Sequence, residues 1–177
     1  VVLTSRMLCR PRRQSFLQAV GCSNVWLRLK SGLSVVVMLV ALGLVGDWLI
    51  VMAGDTFQSS VHWNEWFVPQ LVWGSQMDLV KTAIEFVVLA PLFEELIFRG
   101  ILFASLRKKF NFPISMVASG LVFALAHGYG LIAFLTVLWS GCLWAWAYER
   151  TGSVIPGTIA HAVNNGVVVY SLVAFFR

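Results

Sequence analysis

The sequence predicts an all-α fold, a polytopic transmembrane helical bundle of about five spans, and three observations carry that prediction. Hydrophobic residues make up 59% of the 177-residue chain and charged residues only 12%, whereas soluble domains carry ~25% charge. Mean hydropathy is +0.81, and eight Trp and thirteen Phe supply aromatic mass of the kind enriched at membrane interfaces. Windows of about twenty apolar residues, the length that crosses the hydrocarbon as helix, fall at 33–53, 79–104, 112–128, 131–148 and 154–176.

The N-terminal segment, 1–30, is basic. Arg6, Arg10, Arg12, Arg13, Arg28 and Lys30 supply most of the net charge of +5. That is the flank expected on the cytoplasmic side of a membrane, and it implies no nucleic-acid partner. The segment lacks the uninterrupted apolar core and small-residue cleavage site of a signal peptide; the sequence opens on Val1, with Met7 as an alternative start. Cys9, Cys22 and Cys142 form no disulfide framework and no metal-ligand spacing, and Cys142 reads as a small packed hydrophobe.

The next unit, 31–78, holds the first span and an outer connection. Residues 54–78 carry Asp55, Glu65 and Asp78 and no Lys or Arg, which places them outside by the positive-inside rule. Within them, Val61-His-Trp-Asn-Glu-Trp-Phe67 mixes aromatic and polar residues and is expected to lie along the interface, with His62 facing water. The remaining unit, 79–177, is a helical core of four spans. Its loops alternate as the same rule requires: Arg107-Lys108-Lys109 inside, His127-Gly-Tyr-Gly130 outside, Glu149-Arg150 inside. The N-terminus is then cytoplasmic and the C-terminus outside. No internal repeat and no low-complexity tract is evident.

Polar residues gather in this core as three sets. The first is Glu94, Glu95 and Arg99, expensive in a membrane and therefore a functional candidate. Residues four apart on a helix are neighbours, so Glu95 and Arg99 share a face and are expected to neutralise each other. Glu94 points about 100° away and is left to face another group. Pro91, one turn earlier, removes a backbone donor and predicts a kink. The second set is His127, four residues after Phe123, and the third is His161 with Asn165 on one helical face. At about 1.5 Å per residue, Glu94 and His161 lie roughly 14 and 10 Å from the cytoplasmic side of their spans. His127 comes out nearer 20 Å on the same scale, so its span must tilt or enter late for the three sets to meet.

A carboxylate sharing a water molecule with a histidine can act as general base. A histidine and an asparagine amide can donate to a developing oxyanion. Together these groups fit peptide-bond hydrolysis by an activated water, with no cofactor and no Ser or Cys nucleophile. Two other readings stand beside it. Glu94, His127 and His161 are also a ligand set for a catalytic metal, and Asn165 can serve as a hydrogen bond between helices in a non-catalytic immunity or scaffold protein. A proton-coupled transporter is disfavoured by five spans without an inverted repeat.

Glu94-Glu95-Leu-Ile-Phe-Arg99-Gly100, Phe123-x-x-x-His127 and His161-x-x-x-Asn165 resemble the three motifs of the CAAX-protease and bacteriocin-processing (CPBP, or Abi) family of intramembrane glutamic endopeptidases. Tyr148-Glu-Arg-Thr-Gly-Ser153 is similar to the stretch preceding the last motif. The resemblance implies that 79–177 is the catalytic core. Glu94 would activate water with His127, His161 and Asn165 would form the oxyanion hole, and Glu95 and Arg99 would support the site. It also implies a membrane-anchored, hydrophobic or lipidated protein substrate, including a C-terminal sorting tail. The short chain fits a small bacterial member in the inner (plasma) membrane better than a eukaryotic CAAX enzyme.

Overall fold

A computed structural model describes residues 25–56 and 67–177, and the regular structure among them is entirely helical. The basic residues before Val25 and most of the aromatic connection, including His62, lie outside the described residues. Helix α1 is Val25–Thr56 and α2 a single turn, Pro69–Val72. Helix α3 runs from 76 to 106 without a break. It is α-helical over Gln76–Ile84, Ala90–Glu95 and Ala104–Leu106 and π-helical over Glu85–Leu89 and Leu96–Phe103. Helices α4 (Phe112–His127), α5 (Leu131–Thr151) and α6 (Ile155–Phe176) complete the bundle.

Each predicted window falls on a helix. Gly32–Thr56, Leu131–Thr151 and Ile155–Phe176 are long and apolar enough to cross a membrane. Helix α4 is apolar but has only 16 residues, and α3 carries charges and two π-helical stretches. Local chemistry sets the boundaries. Ser75 and Asp78 form a reciprocal cap at the start of α3. Asn111 accepts from the Ile114 N–H at the start of α4, the usual role of an N-cap side chain. Helices α4 and α5 end at Gly128 and Gly152, with φ of 67° and 63°, left-handed values that a Cβ would strain.

Two contacts fix which ends lie together. Arg107, after α3, donates to both carboxylate oxygens of Glu149 near the end of α5, each at 3.0 Å; this bidentate pair holds the guanidinium above its ordinary pKa. At the opposite end, Arg177 donates to the Leu71 carbonyl at 3.3 Å, and Leu71, Val72 and Leu172 bury one another. Both contacts agree with the alternation predicted from loop charge.

Helix α5 packs against α1, α3, α4 and α6, and the core forms around it from Leu39, Phe123, Trp144, Ala147 and Ala160. Glycines permit the close approaches. Helices α4 and α5 cross where a Cβ on Gly141 would meet the Gly120 backbone at 3.2 Å. Large apolar side chains on the outer faces, Leu125, Ile97, Val45 and Phe175 among them, stay exposed; on a bundle this apolar they suit lipid rather than water.

Candidate active site

The site starts from a defect in α3. In its first π-helical stretch the Ala90 N–H bonds back to the Glu85 carbonyl, a five-residue step. The next residue in that register is Pro91, which has no N–H to give to Phe86. The carbonyl of Phe86 is instead taken by Asn165, whose Nδ2 donates to it at 2.9 Å across 79 residues of sequence. Where Pro91 predicts a kink, the helix carries a π-helical stretch just before the proline, and α6 supplies the missing donor. Short π-helical stretches of this kind cluster at functional sites.

One turn on, the two adjacent glutamates part. Glu95 is fully buried and accepts from Arg99 Nη1 at 2.9 Å. Arg99, also fully buried, donates through Nη2 to the Gly141 carbonyl at 3.0 Å, and its guanidinium lies 4.4 Å from the Phe123 ring centroid. Gly157 lets α6 reach the pair, since a Cβ there would come within 2.9 Å of Glu95 Oε2. Glu94 faces the other way into a cavity, with its side chain 29% exposed and Oε2 without a hydrogen-bond partner among the described residues.

His161 lies between the two carboxylates. Its Nε2 is 3.6 Å from Glu94 Oε2 and its Nδ1 is 3.4 Å from Glu95 Oε1, contacts longer than good hydrogen bonds. The ring stacks on Trp144 at 4.0 Å and 16°, which fixes its plane. His127 bonds through Nδ1 to the Phe123 carbonyl at 2.8 Å. A carbonyl only accepts, so Nδ1 carries the proton, and in the neutral ring Nε2 holds the free lone pair. Phe123 stands between the histidines, 4.7 Å from the His127 ring and 5.9 Å from the His161 ring.

Glu94, His127, His161 and Asn165 all line one cavity of about 590 Å³, within the ~300–1,000 Å³ range of ligand sites. The depth mismatch anticipated for His127 does not keep it out. Asn165 is less free than a lone amide would be, because one N–H serves Phe86 and only the other is available. Among the described residues, no group of three His, Cys, Asp or Glu side chains is placed to hold a metal ion. The sequence reading missed Asp47 of α1, Trp144 and Asn164, which also line the cavity. Asp47 had a signal, being the one charged residue in the 33–53 window.

The fold and cavity define an all-helical membrane bundle with polar side chains gathered in a largely apolar cavity, and comparison gives the family. Residues 76–167, just over half of the chain, match the family described as "Type II CAAX prenyl endopeptidase Rce1-like". The chain belongs to this family and is an integral membrane protein. It is similar to the Bacillus subtilis (strain 168) protein named "Putative membrane peptidase YdiL", with 33% identity over 82 residues. Those residues are 46% of this chain and 33% of that relative, so the chain spans about a third of its length. No solved structure matches.

Proposed function

We propose that the protein is an intramembrane endopeptidase of the glutamic type, hydrolysing a peptide bond of a membrane-anchored or hydrophobic protein. The observation that carries this reading is the convergence of Glu94, His127, His161 and Asn165, from three helices, on one cavity. Glu94 is the base, and the free Nε2 of His127 shares the water with it. As the water attacks, its proton passes to this pair, and negative charge grows on the scissile carbonyl oxygen. His161, held flat by Trp144, and the second N–H of Asn165 donate to that oxygen, an arrangement that stabilises the transition state more than the ground state. The proton then goes to the leaving amine. Glu95 and Arg99 do not touch substrate; they hold α3 so that Glu94 faces the cavity.

Lipidated segments and C-terminal sorting tails fall within this substrate class, and in this reading the enzyme works in a bacterial inner (plasma) membrane with its N-terminus cytoplasmic. The basic segment 1–30 orients the chain, 31–78 brings most of α1 and the outer connection, and 79–177 performs the chemistry. The test compares C-terminal peptides of membrane proteins from cells carrying the wild type and Glu94→Gln. Peptides that vanish in Glu94→Gln, with the variant accumulating normally, support the reading and identify the substrate. Unchanged peptides would leave a non-catalytic scaffold role. Activity lost to strong chelators and regained with metal would favour the metal-dependent alternative with Glu94, His127 and His161 as ligands.

A further inference from the structure

Asp47 lies in the middle of α1, outside the stretch that carries the family motifs, yet it lines the same cavity as Glu94. Its direction is set by packing. Trp139 of α5 donates its indole N–H to the Leu42 carbonyl at 3.0 Å, and any Cβ on Gly46 would overlap the Trp139 ring. Gly46 must therefore face α5. The next residue is turned about 100°, towards the cavity that Asp47 lines together with Asn164 of α6. Asp47 Oδ1 is buried with no partner among the described residues. The last torsion of an aspartate is broad, so a small rotation presents an oxygen to the cavity.

A peptide must be extended to be cut, because a helix turns its N–H groups inward to its own carbonyls. Each bare N–H taken from water into this largely apolar cavity costs free energy unless an acceptor meets it. Among the described residues the cavity wall carries three carboxylates, Asp47, Glu85 and Glu94. Glu94 belongs to the chemistry and Glu85 is exposed. The Thr136 hydroxyl donates to the Ala133 carbonyl at 2.8 Å and offers only a neutral oxygen as acceptor, weaker than a carboxylate. Asp47 is the strong acceptor left over.

We propose that Asp47, flanked by Asn164, is a substrate-binding residue that accepts a hydrogen bond from a backbone N–H of the extended peptide in the cavity. This deepens the peptidase reading and rests on it. The family-matched helices supply the chemistry, and α1 supplies a wall that holds the peptide in register.

The test uses the full-length protein in detergent with internally quenched apolar peptides as the probe. For the peptide that the wild type cuts best, each backbone N–H is methylated in turn. One position is expected to raise KM about tenfold or more, the worth of a hydrogen bond to a charged group. Asp47→Leu should raise KM by a similar factor with kcat nearly unchanged, and should no longer respond to methylation at that one position. Asp47→Asn, which keeps an acceptor and the shape, should fall between. Unchanged KM, a fall in kcat alone, or retained sensitivity at every position in Asp47→Leu overturns the proposal.

A second measurement needs no cleavage. Dicyclohexylcarbodiimide should modify Asp47 in both wild type and Glu94→Gln at mildly acidic pH, and the peptide pool should slow that modification. If nothing is cut yet Asp47 is shielded, the peptidase reading fails and the binding role stands. If Asp47 is unmodified or unshielded, the binding role fails whatever Glu94 does.

Discussion

Glu94 and Glu95 are separated by one peptide bond and share a chemistry, but they inhabit opposite regions of the molecule. On the Glu95 side the charges are enclosed: the carboxylate meets Arg99 at 2.9 Å, and Arg99 meets the Gly141 carbonyl and two aromatic rings. On the Glu94 side the cavity opens; oxygens of Glu94 and Asp47 lack hydrogen-bond partners among the described residues there, as Glu95 Oε2 and Arg99 Nε do on the enclosed side. A buried ion pair holds helices in one arrangement because separating it strands a charge. Glu94 has only the long His161 contact at 3.6 Å, so its carboxylate is left to meet what enters the cavity. Surroundings, not residue type, divide the two glutamates into support and chemistry.

The largest expected effect breaks the enclosed side. Arg99→Ala leaves Glu95 buried beside His161 without its cation, a change of the kind that costs about 3–5 kcal/mol. The variant should fail to accumulate in membranes, measured by quantitative immunoblot against Glu94→Gln, which should accumulate like wild type. Equal accumulation of Arg99→Ala and wild type would mean that the pair is dispensable for folding and that the two regions differ less than their geometry implies.

A smaller disturbance keeps the charges and shifts their packing. Gly157→Ala places a methyl group 2.9 Å from Glu95 Oε2 and 3.5 Å from Trp144 Cβ. Both are buried, so neither yields easily. Such overpacking costs about 1–3 kcal/mol, read as a lower melting temperature in detergent. Because Trp144 also carries the His161 ring, cleavage should fall as well. A loss of stability with full cleavage would show that the enclosed side can deform without moving the site.

The bundle itself was legible because lipid demands it: apolar windows must be long, and loop charge must alternate, whatever the tertiary detail. The i, i+4 pairing of Glu95 with Arg99 was legible because it needs only one helical register, and it holds although Arg99 lies in a π-helical stretch. Pro91 announced a missing donor, but neither the π-helical register nor the rescue of the Phe86 carbonyl by Asn165 could be read locally, since the partner stands on another helix. His161 between both carboxylates, and Trp144 beneath its ring, depend on the rotation of α5 and α6. The place of Asp47 in the cavity depends on Gly46 and Trp139 setting the rotation of α1, a contact between residues 93 apart in sequence, and no period or motif encodes it.

The smallest effect lies at the start of α3, far from either glutamate. Asp78 accepts the Ser75 N–H at 3.0 Å and the Ser75 hydroxyl at 2.7 Å, while Ser75 Oγ accepts the Asp78 N–H at 3.2 Å. The hydrogen bonds from Ser75 hold the Asp78 carboxyl below its ordinary pKa. A lowered folded-state value means that the unfolded chain binds the proton more readily. The stabilisation is therefore present above the ordinary carboxylate value, about 3.9, and is lost as pH falls through the lower folded value. The melting temperature of Asp78→Asn should lie slightly below that of wild type near neutrality and converge with it on acidification, with cleavage unchanged at neutral pH. A gap that widens in acid would reverse the sign and dismiss the cap as its source. Lost cleavage at neutral pH would show that the cap and Glu94 are coupled along α3, so that the cavity side also depends on how its helix is anchored.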